Sequence, residues 1–298
     1  MKDFSVRGVI VPVLTPFDDR GELDAGALQQ LVDYLIARGV AGLFPGGTTG
    51  EGFLLSLDER QRLAESAVSA ADGRVPVIVH TGAPTTADAL ALTVHAQQAG
   101  ADAVAIIPPF VYRHSDEGLR AHYVAVAEAV PDLPILLYNF PAICNNVLSF
   151  DLVMALLERA PNIVGMKDSS GSLETLVRLH AATDGAFLAF NGSDGQVLMS
   201  AAMGLNGCVS GNANVMPELL VALRSSATAG DLAEARVLQQ QVNTVRRLLG
   251  DGGNLSLFKQ MVARRGIHVG DVRAPLVKAS PELADGRWQQ LAAMGIGM

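Results

Sequence analysis

Gly39-Val40-Ala41-Gly42-Leu43, Gly100-Ala101-Asp102-Ala103-Val104 and Gly204-Leu205-Asn206-Gly207-Cys208 share one grammar: a glycine where a helix must stop, then the start of a short apolar run. Glycine suits a helix end because it takes the left-handed backbone conformation without a steric penalty. A short apolar run without strict polar alternation fits a strand covered on both faces. The three segments therefore read as joints between a helix and the next strand. Working outward from them, apolar runs begin near Val9, Gly42, Val75, Ala103, Ile135, Ile163, Phe187 and Gly207. Each leads into a polar or Gly-rich turn and then an amphipathic stretch, the pattern of a parallel sheet with helical crossovers. Helix starts are marked at Ser56-Leu57-Asp58-Glu59, at Ser172-Leu173-Glu174 and at Asp151 after Ser149-Phe150.

Beyond Ser210 the strands stop, and Pro217 to Ser226, Leu232 to Leu249 and Pro281 to Met294 read as helices. An open dinucleotide-binding sheet would carry a GxGxxG turn between an early strand and its helix, and none occupies that place. The expected architecture is a (β/α)8 TIM barrel over residues 1–215, with a C-terminal helical extension packed on it over residues 216–298.

The 298 residues carry 22 Lys and Arg against 30 Asp and Glu, a net charge of −8 without a basic cluster. Nucleic-acid binding works by neutralising phosphates, so DNA and RNA are excluded as expected partners. With 49% hydrophobic, 17% charged and only 5% aromatic residues, the chain must build a large core from aliphatic side chains and is not disordered. Its longest apolar stretch, Ala103 to Tyr112, is interrupted by proline and falls short of the roughly 18 residues of a membrane span. No cleavable signal pattern precedes the first strand, so a cytoplasmic protein with no membrane partner is expected. Cys144 and Cys208 stand apart, and the six histidines adopt no metal-ligand spacing. Neither a disulfide nor a metal is expected.

In a barrel of this kind chemistry sits at the carboxyl ends of the strands. Those ends are polar: Gly46-Gly47-Thr48-Thr49-Gly50-Glu51, Tyr138-Asn139, Lys167-Asp168-Ser169-Ser170 and Asn191-Gly192-Ser193-Asp194. The chain has only four lysines, and Lys167 alone closes a strand, after Ile163-Val164-Gly165-Met166. A dry barrel mouth favours the neutral amine, which attacks a ketone to form a Schiff base. Strand alternation lets Lys167 face the axis while Asp168 faces the helices. A rim lysine held in a salt bridge is the competing reading. Gly47-Thr48-Thr49-Gly50 offers backbone N–H groups and two hydroxyls suited to a carboxylate or phosphate, or else a capped turn. Glu51 reads as a local hydrogen-bond acceptor rather than a base. The hydroxyl of Tyr138 either shuttles protons or satisfies a buried carbonyl. Cys144 reads as a packed thiol and His80 as structural.

As a set, Gly47-Thr48-Thr49-Gly50-Glu51, Tyr138-Asn139-Phe140-Pro141 and Gly165-Met166-Lys167-Asp168-Ser169 resemble the dihydrodipicolinate synthase and N-acetylneuraminate lyase family of Schiff-base, pyruvate-handling enzymes. The likeness runs over roughly the first 215 residues, and three motifs in one order are specific together. The resemblance implies that Lys167 forms the imine and Tyr138 is the acid/base group. It also implies that Thr48 and Thr49, with Gly47, receive the keto acid's carboxylate, and that Val209 touches pyruvate. No cofactor beyond the covalent imine is then needed, and a homotetramer built as a dimer of dimers is expected.

The departures bear on the substrate. Synthases of the family carry an arginine two residues after the Tyr-Asn-x-Pro proline, to grip the carboxylate of aspartate semialdehyde; this chain has Ile143. Neuraminate lyases resemble it at Asp194 but follow with a glutamate, where Gly195 stands here, and have a hydroxyl near Gly211 that is missing. A long polyol tail should therefore lack partners. The family's interface tyrosine falls on Val111, with Tyr112 one residue late. The expected function is a class I lyase or aldolase on a 2-keto acid, with pyruvate as donor or product, an aldehyde as second partner and a 2-keto-3-deoxy sugar acid as leading substrate. A dehydratase of such an acid, a 4-hydroxy-tetrahydrodipicolinate synthase (disfavoured by Ile143) and a non-catalytic keto-acid-binding barrel are the alternatives. A metal-dependent aldolase would need His and carboxylate ligands at the strand ends, and no such set is present.

Overall fold

A computed structural model describes residues 4–295. Eight parallel strands run in the order β2-β1-β8-β7-β6-β5-β4-β3. They are β1 (Gly8–Val11), β2 (Gly42–Leu43), β3 (Ile78–His80), β4 (Ala103–Ile106), β5 (Ile135–Asn139), β6 (Ile163–Asp168), β7 (Leu188–Asn191) and β8 (Gly207–Val209). A parallel bridge between Leu43 and Val77 joins the two ends, so the sheet closes into the (β/α)8 barrel read from the sequence. The third strand starts at Ile78 rather than near Val75, because Pro76 has no N–H to give a ladder and serves only as an acceptor, for Leu43 N–H at 3.0 Å.

Helices α1 (Ala25–Ala37), α2 (Leu57–Ala71), α3 (Thr86–Gln98) and α4 (Asp116–Ala129) cover the first strands. A single turn, α5 (Pro141–Cys144), precedes α6 (Phe150–Leu157), and α7 (Glu174–Ala182) and α8 (Val197–Ala202) complete the ring. Ser56 caps α2 in a reciprocal capping box with Glu59, and Ser149, not Asp151, caps α6 by accepting the Leu152 N–H. Among the described residues four α-helices follow β8: α9 (Pro217–Ala229), α10 (Leu232–Leu248), α11 (Leu255–Arg264) and α12 (Pro281–Ala293). The sequence reading has no counterpart of α11. That helix is only ten residues long, and it buries two polar residues, Ser256 and Lys259, along with Leu257, Phe258, Met261 and Val262.

Period-two alternation divides the burial into two cores. Ile10, Ile78, Ala103, Ala105, Leu136, Tyr138, Leu188 and Phe190 fill the barrel, while Val9, Val11, Val79, Val104, Ile106, Leu137 and Ala189 pack outward against the helices. Strand β6 breaks this rule. Ile135 pairs with Ile163 but Leu136 pairs with Gly165, leaving Val164 as the extra residue of a β-bulge. Ile163 and Met166 both lie in the outer core, so the bulge reverses the alternation and Lys167 enters the barrel beside its register partner Tyr138. Only glycine fits at 165, where a Cβ would come within 2.3 Å of Leu188 O.

The segment after α11 folds back on the amino-terminal half through Arg273. Its guanidinium grips both carboxylate oxygens of Glu59, one at 2.8 Å, and donates to Gly21 O at 2.7 Å. The hydrogen bond from Arg273 holds the Glu59 carboxyl at about 2, against an ordinary 4.5, with partial burial opposing. A carboxyl depressed in the folded state stabilises the fold above its unfolded value, and that stability is lost as pH falls from 4.5 towards 2. Glu59→Gln is therefore expected to lower stability at neutral pH while flattening its fall in acid, as measured by urea unfolding at neutral pH and at about pH 3. An unchanged acid slope would refute this.

Candidate active site

A cavity of about 530 Å3 opens at the carboxyl ends of the strands, and Thr48, Thr49, Tyr138, Lys167, Asp194 and Val209 all line it. Residues read from five separate places in the sequence thus share one chamber. A larger cavity, about 820 Å3, contains Lys259, Asp271 and Lys278 and none of those residues, so size does not mark the chemistry here.

Lys167 is 5% exposed. Its Nζ lies 3.9 Å from the centre of the Tyr138 ring and 4.8 Å from that of Phe44, and among the described residues it has no ion-pair partner. The adjacent Asp168 points away, accepting from Asn139 Nδ2 at 2.9 Å and from the Ser170 N–H at 2.6 Å. The rim salt bridge is therefore not formed.

The hydroxyl of Tyr138 stands 3.3 Å from Thr48 Oγ1. The ring is held edge-on by Phe44 and by His80. Burial, with Arg60 and Lys167 nearby, pushes the His80 imidazole well below its ordinary range, and its Nδ1 lies 3.0 Å from Gly46 O. The neutral imidazole is a packing wall behind the tyrosine.

The turn after β2 brings Thr48 and Thr49 to the cavity, while Gly47 is buried behind them and shapes the turn by accepting the Gly52 N–H at 3.0 Å. A Cβ at position 52 would lie 1.8 Å from Gly46 O, so the tightness of the turn depends on glycine there. Glu51 is an acceptor as read, though not a local one: it takes the Arg273 N–H at 2.8 Å and pairs with Lys259.

Asp194 is buried, accepts from Asn212 Nδ2, and burial raises its pKa. Ile143 lies on the cavity wall with 40% of its surface exposed. Tyr112 is 74% exposed and does not line the cavity of this chain; its neighbour Val111 adopts φ +82°, a strained backbone for a β-branched residue. The Cys144 thiol is fully buried, donates to Asn146 O and has its pKa raised by burial, as a packed thiol should.

Ser169, Ser170 and Ser193, from the polar strand ends read in the sequence, add hydroxyls to the wall. Arg246, Asp251 and Phe258, which the sequence reading did not identify, reach in from α10, the loop after it and α11. The Gly250-Asp251-Gly252-Gly253 run followed by Asn254, which caps α11, is the signal that could have pointed there. With Asp194, the serines, Arg246 and Asp251 make this wall of the cavity polar at positions other than Gly195 and Gly211. Among the described residues, no three His, Cys, Asp or Glu side chains gather into a metal-binding group, and no helix is long and apolar enough to cross a membrane.

A closed parallel barrel with this chamber at its strand ends has the architecture of a (β/α)8 enzyme. Residues 5–293 match the Dihydrodipicolinate synthetase family, and the chain belongs to that family, whose members are lyases. It is 39% identical to a 4-hydroxy-tetrahydrodipicolinate synthase of Azoarcus sp. (strain BH72), covering 94% of this chain and 95% of the relative. It is 37% identical to an N-acetylneuraminate lyase of Rhizobium meliloti (strain 1021), over 92% and 90% of the two chains. Among solved structures it resembles a prophage protein of the family from E. coli K12 in complex with pyruvate, with TM-score 0.92 and 30% identity over 97% of this chain and 99% of that one. A catalytic-lysine mutant of Ruminococcus gnavus sialic acid aldolase superposes with TM-score 0.92 at 26% identity, covering 97% and 96%.

Proposed function

We propose that the chain is a class I aldolase that cleaves a 2-keto-3-deoxy sugar acid to pyruvate and an aldehyde, or runs the reverse condensation, through an imine on Lys167. The observation that carries the reading is Lys167, buried and without an ion-pair partner among the described residues, in one cavity with the Tyr138–Thr48 hydroxyl pair. Lys167 attacks the C2 carbonyl, and water leaves the carbinolamine to give a protonated imine. With the C4 hydroxyl deprotonated, the C3–C4 bond breaks, the aldehyde departs and the electron pair passes into the imine as an enamine. Protonation at C3 and hydrolysis release pyruvate and restore the amine. No metal or nucleotide takes part. Thr48 and Thr49 receive the C1 carboxylate, Val209 packs on the pyruvate methyl, and Ser169, Ser170, Ser193 and Asp194 bind the hydroxyls of the tail. Assembly as a dimer of dimers belongs to this reading, since Val111 and Tyr112 stand exposed where a neighbouring subunit would cover them.

The test is a screen of 2-keto-3-deoxy acids and of pyruvate with aldehydes, read as pyruvate released or consumed. Release of pyruvate from a keto-deoxy sugar acid upholds the proposal. Loss of water without release of pyruvate assigns a dehydratase, and binding without turnover assigns a non-catalytic barrel.

Many relatives are named as synthases, and Ile143 separates this chain from that activity. Condensation of pyruvate with aspartate semialdehyde is expected to be poor, because the substrate's carboxylate would meet an isoleucine where a synthase offers a bidentate cation. Losing one such charge-assisted pair costs about 2 to 5 kcal/mol, roughly 30-fold or more in rate. Turnover matching that of a dedicated synthase, measured side by side, would return the chain to the biosynthetic role.

A further inference from the structure

The chain buries a second lysine that no step of the proposed reaction uses. The Lys259 side chain is 1% exposed and that of Glu51 is fully buried, and Lys259 Nζ lies 2.8 Å from Glu51 Oε1. Lys259 also donates to Asp271 O at 2.8 Å and sits 4.2 Å over the Phe17 ring, while the other Glu51 oxygen accepts the Arg273 N–H. One ion pair thus ties together the turn after β2, helix α11 and the segment that follows it.

Withdrawing two ions from water is costly, and a well-packed apolar pair would hold the fold as firmly. What a hydrogen-bonded ion pair adds is a single permitted geometry, and here that is the geometry of the turn. Glu51 adopts the left-handed conformation, φ +56°, with its N–H donating to Thr48 O at 3.1 Å. Gly52 donates to Gly47 O and Leu54 to Glu51 O, so the backbone from 47 to 54 is laced around the clamped carboxylate. Phe258, next to Lys259, lines the catalytic cavity, and a Cβ on Gly211 would lie 3.3 Å from both its ring and Thr49 Oγ1. The helix that carries the lysine is therefore packed close to the threonines.

We infer that Lys259 is a positioning residue: through Glu51 it holds the turn so that Thr48 and Thr49 meet the substrate's carboxylate, a role that rests on the keto-acid reading above. Misplacement of a binding group by about an ångström is enough to cost as much as 100-fold.

Lys259→Met, which keeps the chain length and removes the charge, tests it by two readouts. Without ligand, amide exchange at Glu51, Gly52 and Leu54 is expected to accelerate about tenfold or more while the amides of β5 and β6 keep their protection. In borohydride trapping, the pyruvate concentration giving half-maximal adduct is expected to rise about 10-fold to 100-fold, with the maximal trapping rate falling less than about threefold. Unchanged exchange in the turn, or half-saturation within about threefold of wild type, overturns the proposal. If wild type forms no pyruvate adduct, the keto-acid reading fails and exchange alone decides the clamp. Should Lys259→Met not fold, the double variant Glu51→Gln/Lys259→Met, which leaves no lone buried charge, carries both measurements with the same expectations. Failure of both variants to fold makes the pair purely structural and overturns the proposal.

Discussion

Pyruvate and borohydride are expected to leave a reduced covalent adduct on the wild-type chain, and Lys167→Ala is expected to abolish it. This is the largest effect the structure leads us to expect, because among the described residues no other lysine lines that cavity. Lys259 is ion-paired and lines the larger cavity, not the one that holds Tyr138, and Lys278 pairs with Asp271 at the surface. Lys167 alone among these three is buried without an opposing charge in the chamber with the tyrosine. Intact mass should show one adduct per chain, and peptide mapping should place it on the segment containing residue 167. An adduct on Lys259, or none at all, would sink the Schiff-base mechanism and favour a binding barrel. Lys167→Ala also leaves a cavity beside Phe44 and Tyr138, so a folding check by circular dichroism accompanies the assay.

Tyr138→Phe is expected to lower kcat by roughly 10²-fold to 10⁴-fold, with a smaller change in KM. Carbinolamine dehydration needs a proton delivered to the departing hydroxyl, and C3–C4 cleavage needs one removed from the C4 hydroxyl. One phenol beside the amine serves both steps. A second hydroxyl lets the phenol pass the proton on, and Thr48 Oγ1 stands 3.3 Å away. The variant keeps the ring, and with it the packing against Phe44 and His80, so folding should be normal and adduct formation slowed rather than lost. Near-normal kcat in Tyr138→Phe, with loss in Tyr112→Phe, would give the shuttle to Tyr112. In this chain Tyr112 is exposed and outside the cavity, so it could act only in a neighbouring subunit's site.

Much of the architecture was legible because it is local. Glycines at 39, 100 and 204 all take positive φ at helix ends, and the strands begin within about three residues of the apolar runs that announced them. Ser56 and Glu59 form the box their spacing predicts. Helix α11 was hidden because it is only ten residues long and carries a serine and a lysine in its buried part, where apolar residues alone would mark a core-facing stripe. The pair Glu51–Lys259 was hidden because its members are 208 positions apart, and Glu51 alone reads as a local acceptor.

Sequence by itself determined which residues stand at the strand ends, since apolar runs and the polar turns that close them are properties of neighbouring residues. Tertiary structure decided where those residues point. Counted by strict alternation from the outward-facing Ile163, Lys167 falls on the helix side of the sheet, where an amine could meet no substrate. The extra residue at Val164 shifts the phase by one, and Gly165 makes room for it against Leu188. A glycine in a strand signals such a bulge, but only pairing with Leu136 on one side and Leu188 on the other selects which residue is left out of register. Because side chains alternate with period two, a slip of one residue moves every later side chain to the opposite face, and that slip turns Lys167 towards Tyr138.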